Sequence, residues 1–168
     1  MQVLNFLNNK LEVYLVNFLL ANIAIWVFIQ VVLRYIFSYS LPWSEELVRW
    51  CFVWLIWVGV SYGFKVQKHV SIDIVLKILP KKIAIVVNFF VNLIILWCMA
   101  KLTILGTEQI LNPMIANQNS IMLFWPFTDT QVTMFWLYAS LPFGAFLSTI
   151  RVIQNIFFNL KELINCNK

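Results

Sequence analysis

Long hydrophobic runs without a charged residue alternate with short polar segments along this chain. A helix needs about 20 largely apolar residues to cross a hydrocarbon core roughly 30 Å thick. The runs are Val13–Leu33, Trp50–Phe64, Ile83–Ala100 and Thr130–Ile150. The second is much too short, so its helix is expected to begin near Trp43 and to include charged residues. The pattern predicts an all-α integral membrane protein, a single membrane domain over residues 1–168 with four transmembrane helices at about 13–36, 43–64, 81–111 and 130–151.

Composition agrees with this prediction, because 62% of the residues are hydrophobic and only 11% are charged, whereas a soluble domain carries about a quarter charged residues. The net charge is +5, and most of the basic residues fall on one side of the predicted membrane. With four crossings, that side holds both termini and the 65–82 loop. Because basic loops stay in the cytoplasm, both termini are predicted to be cytoplasmic. Anionic membrane lipids are sufficient partners for the basic residues, and no nucleic acid is expected.

The second predicted helix carries the densest set of candidate functional residues. On a wheel of 100° per residue, three other tryptophans fall within about 40° of Trp43, so four tryptophans share one face. The opposite face carries Glu45 and Arg49, which are spaced for an intrahelical ion pair, and two glycines four residues apart, a spacing that permits close helix packing. Arg34 is the expected partner of Glu46. The candidate partner-interface or helix-corner residues are Arg34, Trp43, Glu45, Glu46, Arg49, Trp50, Trp54, Trp57, Gly59 and Gly63.

Each of these features has a structural interpretation beside the functional one. The charged corner either anchors the first two helices to each other or contacts a partner protein, and carboxylates in a first helical turn also suit the helix dipole. The tryptophan face either lies against lipid or contacts protein or a bound lipid. Either face of the second helix is therefore a candidate for contact with a partner.

The 65–82 loop has a period of four residues, with Lys65, His69, Asp73 and Lys77 drifting slowly round one side of a helix. This pattern predicts a short amphipathic helix at the membrane surface. His69 and Asp73 are candidate residues of the cytoplasmic loop, where they form either a local hydrogen bond or a functional pair.

The chemistry of an enzyme or of a self-sufficient transporter is missing from the sequence. The chain has one histidine and no Cys-x-x-Cys pair or phosphate-binding loop, so no catalytic residue, cofactor or metal ligand is expected. No charged residue lies at the centre of a predicted span, where a proton-driven transporter usually needs an acidic group. A small homo-oligomeric channel or exporter remains the alternative function.

Short motifs occur in the first, second and fourth predicted helices and in the 65–82 loop. The motifs are Arg34-Tyr35, Trp43-Ser44-Glu45-Glu46, Arg49, Trp54, Gly59, Lys68-His69-Val70-Ser71-Ile72-Asp73 and Leu141-Pro142-Phe143-Gly144. In combination they resemble the signature of the small membrane subunit of tripartite ATP-independent periplasmic (TRAP) transporters.

The resemblance implies an accessory, non-catalytic subunit in the bacterial inner membrane. It would pair with a large polytopic TRAP membrane subunit, which holds the substrate and sodium sites. A periplasmic substrate-binding protein would deliver an anionic organic acid, such as sialic acid or a C4-dicarboxylate. The small subunit would brace the scaffold of the large one and help to dock the binding protein.

Overall fold

The computed structural model describes residues 2–66, 81–125 and 128–166. Within these residues, four helices are long and apolar enough to cross a membrane, which confirms the predicted fold class. The elements in chain order are α1 (Gln2–Ile36), α2 (Pro42–Val66), α3 (Lys81–Leu111), α4 (Pro113–Ala116), β1 (Asn119–Trp125), β2 (Thr128–Thr133), α5 (Phe135–Tyr138) and α6 (Ser140–Cys166). The fourth candidate span runs through α5 and into α6.

Helices α2 and α6 form the centre of the bundle. They pack against each other, while α1 packs on α2 and α3 packs on α6. The outer helices expose large apolar side chains such as Phe18, Phe28, Phe90 and Ile94. Lipid tails are as apolar as these side chains, so a membrane is a suitable solvent for them.

The third helix ends at Leu111, where the Asn112-Pro113 stop in the sequence predicts its end. The Asn112 side chain accepts the Met114 N–H at 3.1 Å and thereby caps the short α4. An Asn side chain at such a position satisfies a donor that the helix itself leaves unpaired. Helix α3 thus continues past Lys101 and ends directly before α4.

The fourth predicted helix, at 130–151, differs from the structure at both ends. Residues 128–133 form β2 instead, because they pair with β1 and bury Val132 against α2. The helix continues to Cys166, since Arg151 is buried inside the bundle and does not end it. Ala139 separates α5 from α6, at the point where Pro142 has no N–H to offer the carbonyl four residues earlier.

The segment between the third and fourth long helices contains an antiparallel hairpin of β1 and β2. Leu123 and Val132 pack with Trp50 in one buried cluster, which seats the hairpin on the first turns of α2. The end of the bundle that carries it, where α1 ends and α2 begins, is called the hairpin end below. Residues 126–127, which join the two strands, lie outside the described residues.

The amphipathic helix predicted in the 65–82 loop, with His69 and Asp73, also lies outside the described residues, which resume at Lys81. Its existence stays a prediction.

The two central helices are in tight contact at Gly144 of α6. A Cβ atom at this position would lie 2.5 Å from Trp57 Cβ and 2.9 Å from the Trp57 carbonyl oxygen. By contrast, a Cβ at Gly59 or Gly63 would meet no atom of the described residues within 4 Å. The glycine that the packing of α2 and α6 requires is therefore Gly144.

We expect Gly144→Ala to destabilise the isolated chain, because the added methyl group forces α6 away from the α2 backbone. Overpacking of this kind costs about 1–3 kcal/mol. Gly59→Ala is the matched control, since its methyl group enters open space. Thermal unfolding in mild detergent measures both, and equal melting temperatures for the two variants would contradict the packing argument.

Candidate functional site

A buried carboxylate joins three of the four long helices. Glu12 of α1 is only 1% exposed. Its carboxylate oxygens accept hydrogen bonds from Lys65 Nζ at 2.7 Å, Arg151 Nε at 2.5 Å and Ser61 Oγ at 3.4 Å. Because Ser61 and Lys65 lie on α2 and Arg151 lies on α6, one side chain fixes the relative positions of α1, α2 and α6. We call these four residues the clasp.

The clasp sets one acidic group against two basic ones, so its formal charge is +1. Arg151 also donates from Nη1 to Gln154 Oε1 at 2.8 Å, which satisfies a further part of the guanidinium. Charged groups near the membrane interior are expensive unless they are paired and hydrogen-bonded. This arrangement meets both conditions, so the clasp is a structural device that holds the bundle together.

The sequence analysis missed Glu12, because it lies just before the first charge-free run. The available signal was its position beside that run, on the same predicted side of the membrane as Lys65 and Arg151. In the structure, Glu12 lies inside the first candidate span, Lys10–Ile36. A carboxylate at such a place needs basic partners from neighbouring helices. Lys65 and Arg151, at the ends of the second and fourth predicted spans, were the candidates.

At the hairpin end, Glu46 has a different partner from the one predicted. Its carboxylate accepts Ser120 Oγ at 2.7 Å and the Met122 N–H at 3.1 Å, both from β1. In the described residues, the only ion pairs within 4 Å are the two made by Glu12. The predicted Arg34–Glu46 pair is therefore wrong, because the free edge of β1 supplies donors that this carboxylate satisfies.

The predicted Glu45–Arg49 ion pair is also absent from the described part of the chain. Both side chains are exposed. Glu45 and Arg34 instead both line an open cavity of about 200 Å³ between the end of α1 and the start of α2. The two helices are joined here by a neutral bond, from Gln30 Nε2 to Ser44 Oγ at 2.8 Å.

The tryptophan face of α2 points into the chain's own bundle. Trp50 is buried under the hairpin, and Trp57 lies against Gly144. Trp54 Nε1 donates to the Trp136 carbonyl at 3.0 Å, and its ring lies 5.6 Å from that of Phe143. Trp43 is half-exposed, with its ring edge-on to Trp26 at 5.1 Å. Most of this face is thus occupied by protein.

The opposite face of α2 is uncovered in the described residues. Phe52 and Ile56 are exposed, and the two glycines of this face have open space where a Cβ would stand. We call this strip the open face; its residues are Glu45, Arg49, Phe52, Ile56, Gly59 and Gly63. It combines charges at one end with small and apolar groups along the span, which is the surface that another transmembrane helix packs on. No group of three or more His, Cys, Asp or Glu close enough to hold a metal occurs in the described residues.

Comparison with known proteins gives a match over most of the chain. The family described as "Tripartite ATP-independent periplasmic transporters, DctQ component" matches residues 23–162. This chain is 31% identical to the sialic acid TRAP transporter permease protein SiaT of Haemophilus influenzae over 155 residues, 91% of this chain but only 23% of that protein. It is 24% identical to the C4-dicarboxylate TRAP transporter small permease protein DctQ of Vibrio cholerae, with 87% of this chain and 69% of that protein covered. With the Vibrio cholerae sialic acid TRAP transporter small permease protein SiaQ, the identity is 26% over 94% of this chain and 85% of that protein.

We expect Glu12→Gln to destabilise the bundle, because it removes the carboxylate charge that the half-buried Lys65 and the buried Arg151 both pair with. Removing one partner of a buried pair costs about 3–5 kcal/mol in soluble proteins. The measurement is thermal unfolding in mild detergent, followed by circular dichroism.

The control is Glu45→Gln, which removes the same charge from an exposed carboxylate without an ion pair. The double variant Glu12→Gln/Arg151→Gln should recover part of the lost stability, since it also removes the Arg151 charge that the Glu12 carboxylate had balanced. A melting temperature of Glu12→Gln equal to that of the control would contradict the role of the clasp.

Proposed function

The chain belongs to the DctQ family of TRAP transporter components, and on this premise we propose that it is the accessory small membrane subunit of a secondary, sodium-coupled importer. Components of this family are parts of a transporter and not enzymes, and the chain is a multi-pass protein of the bacterial inner membrane. Two of its relatives are named for the transport of sialic acid and one for C4-dicarboxylates. We therefore propose an anionic organic acid of this kind as the transported substrate.

The proposed partners are a large polytopic membrane subunit, which carries the transport site, and a periplasmic substrate-binding protein. The match to only 23% of the Haemophilus permease supports the first partner, because the related part of that protein is joined to a much longer remainder. The excess of Lys and Arg beside the clasp end supports an orientation in which both termini are cytoplasmic. The hairpin end is then periplasmic.

The observation that carries the proposal is the open face of α2. Of the two candidate faces, the tryptophan face is filled by the chain's own α6 and hairpin, whereas Gly59 and Gly63 face open space. Helices associate in lipid through close packing at small residues. We therefore assign contact with the large subunit to the open face, with Phe52 and Ile56 packing beside the glycines.

The charged corner at the hairpin end has a second proposed role. Arg34, Glu45 and Arg49 are exposed and form no ion pair in the described part of the chain. Charges of both signs at the membrane border suit an orienting contact with a partner, because electrostatic complementarity steers association and fixes register. In the proposed orientation, the binding protein arrives at this corner.

Bracing is the mechanical part of the proposal. The clasp, the Gln30–Ser44 bond and the tight contact at Gly144 hold α1, α2 and α6 in one fixed arrangement. A rigid bundle that presents one uncovered helix face can immobilise a neighbouring helix without itself moving.

Gly59→Leu should weaken association with the large subunit while leaving the isolated chain as stable as before. Leucine has a higher helix propensity than glycine and meets no clash within the chain, but it blocks close approach by another helix. The measurement is affinity purification of tagged chain from its native membrane, which should recover a second polytopic protein. Ala24→Leu, an exposed small-to-large change on α1, is the control.

Undiminished recovery of the second protein with Gly59→Leu would reject the open face as the interface. Purification of a homo-oligomer alone, active in liposomes, would reject the subunit function as a whole and favour the channel.

Replacing both Glu45 and Glu46 by Gln should impair substrate uptake without preventing membrane insertion. The single variants separate two causes. Glu46→Gln should increase amide hydrogen exchange at Met122, because it replaces a charged acceptor by a neutral one and one of the two acceptor oxygens by an NH2 donor. Glu45→Gln should leave this exchange unchanged and act through the partner only. Normal uptake by the double variant would count against the corner.

A further inference from the structure

The hairpin carries an apolar surface that the proposed function leaves unused. Four of the seven residues of β1 are large, apolar and exposed: Ile121, Met122, Phe124 and Trp125. Only Ser120 and Leu123 of this strand are buried. A hairpin that rests on protein and faces water alternates apolar with polar residues. Here the outward positions are apolar as well, and Ile121 is 74% exposed.

The two strands differ sharply in polarity. β1 reads Asn-Ser-Ile-Met-Leu-Phe-Trp and β2 reads Thr-Asp-Thr-Gln-Val-Thr. Phe124 pairs directly with Gln131 across the ladder. Because neighbouring strands lie about 4.8 Å apart, the hairpin has an apolar edge and a polar edge one strand spacing from each other. A hairpin at the boundary between lipid and water needs this difference in polarity between its two edges.

The contacts of β1 fix its level relative to the membrane. Leu123 packs on Trp50, and Met122 bonds to Glu46, so the strand lies beside the first three turns of α2. Helix α2 has 25 residues and is about 37 Å long at 1.5 Å per residue, longer than a hydrocarbon core of roughly 30 Å. Its N-terminal end therefore lies at the border between headgroups and acyl chains.

Other exposed aromatic residues lie close to the hairpin. Trp136 and Phe135, which follow the hairpin, are exposed and stack edge-on at 6.0 Å. Trp43 with Met122, Leu123, Phe124 and Trp125 lines an open apolar cavity of about 280 Å³. Tryptophan is enriched at membrane interfaces, where its ring sits at headgroup level. No residue of β1 carries a charge that would oppose entry into this zone.

We propose that β1 lies in the lipid interface of the leaflet at the hairpin end, with Ile121, Met122, Phe124 and Trp125 in contact with phospholipid. The polar strand β2 faces the aqueous side. The occupant of this surface is the bilayer itself, and the cavity beside Trp43 receives the upper part of an acyl chain. This inference does not depend on the transport function, because it concerns the isolated chain in a membrane.

Spin labels on the full chain in phospholipid nanodiscs test the proposal. Phe124→Cys and Gln131→Cys are made in a background without the native cysteines, and each label is probed with oxygen, which concentrates in lipid, and with a water-soluble nickel chelate. The label at 124 should be more accessible to oxygen than to nickel. The label at 131, directly opposite in the ladder, should shift toward the nickel reagent.

The proposal is overturned by greater nickel than oxygen access at 124, which would place β1 in water. Exclusion of both reagents from the label at 124 would indicate a protein cover and would also overturn the proposal. The same ratio of oxygen to nickel accessibility at 124 and 131 would overturn it too. Ile121→Cys provides a second site on β1 if the label at 124 disturbs folding. A large subunit added to the nanodisc leaves these readings unchanged if lipid is the occupant.

Discussion

The carboxylate of Glu12 is the interaction on which the geometry of the bundle depends. Helices in lipid gain no hydrophobic energy from meeting each other, so packing and polar contacts determine their arrangement. Glu12 binds α2 through Ser61 and Lys65 and binds α6 through Arg151.

At the other end of α1 and α2, Gln30 bonds to Ser44. Glu12 and Gln30 are about 27 Å apart along α1 at 1.5 Å per residue, close to the thickness of the hydrocarbon core. The antiparallel helices α1 and α2 are thus pinned at both membrane borders.

Pinning at both borders determines which face of α2 is left open. With α1 held on one side and α6 drawn in at Gly144, the tryptophan face has to fill the space between α2, α6 and the hairpin. Large rings then serve as packing material inside the chain, and the side of α2 that bears small residues is turned outward. The inward use of tryptophan and the outward use of Gly59 and Gly63 are two consequences of one rotation of α2 about its axis.

Local patterns predicted the parts of this structure that local forces determine. Hydrophobic runs located the spans, Asn112-Pro113 located the end of α3, and the helical wheel separated the two faces of α2. The clasp was missed because Glu12 and Arg151 are 139 residues apart, and no periodicity connects them. The hairpin was missed because β1 and β2 are short and irregular in register. Its stability comes from Glu46 and Trp50 on another element, which a local reading of residues 119–133 does not include.

The two ends of the bundle treat charge in opposite ways, and this asymmetry fits one end for structure and the other for recognition. At the clasp end, the charged groups are buried or half-buried and paired with each other, so they have little capacity left for a partner. At the hairpin end, the elements are held together by neutral hydrogen bonds and by the bonds that β1 donates to the Glu46 carboxylate. Arg34, Glu45 and Arg49 remain exposed there without ion pairs among the described residues. Because water at the membrane border solvates them at little cost, they can be retained for contact with another protein. A partner that supplies complementary charges at this border, and a helix along the open face, would meet a surface that folding has already arranged.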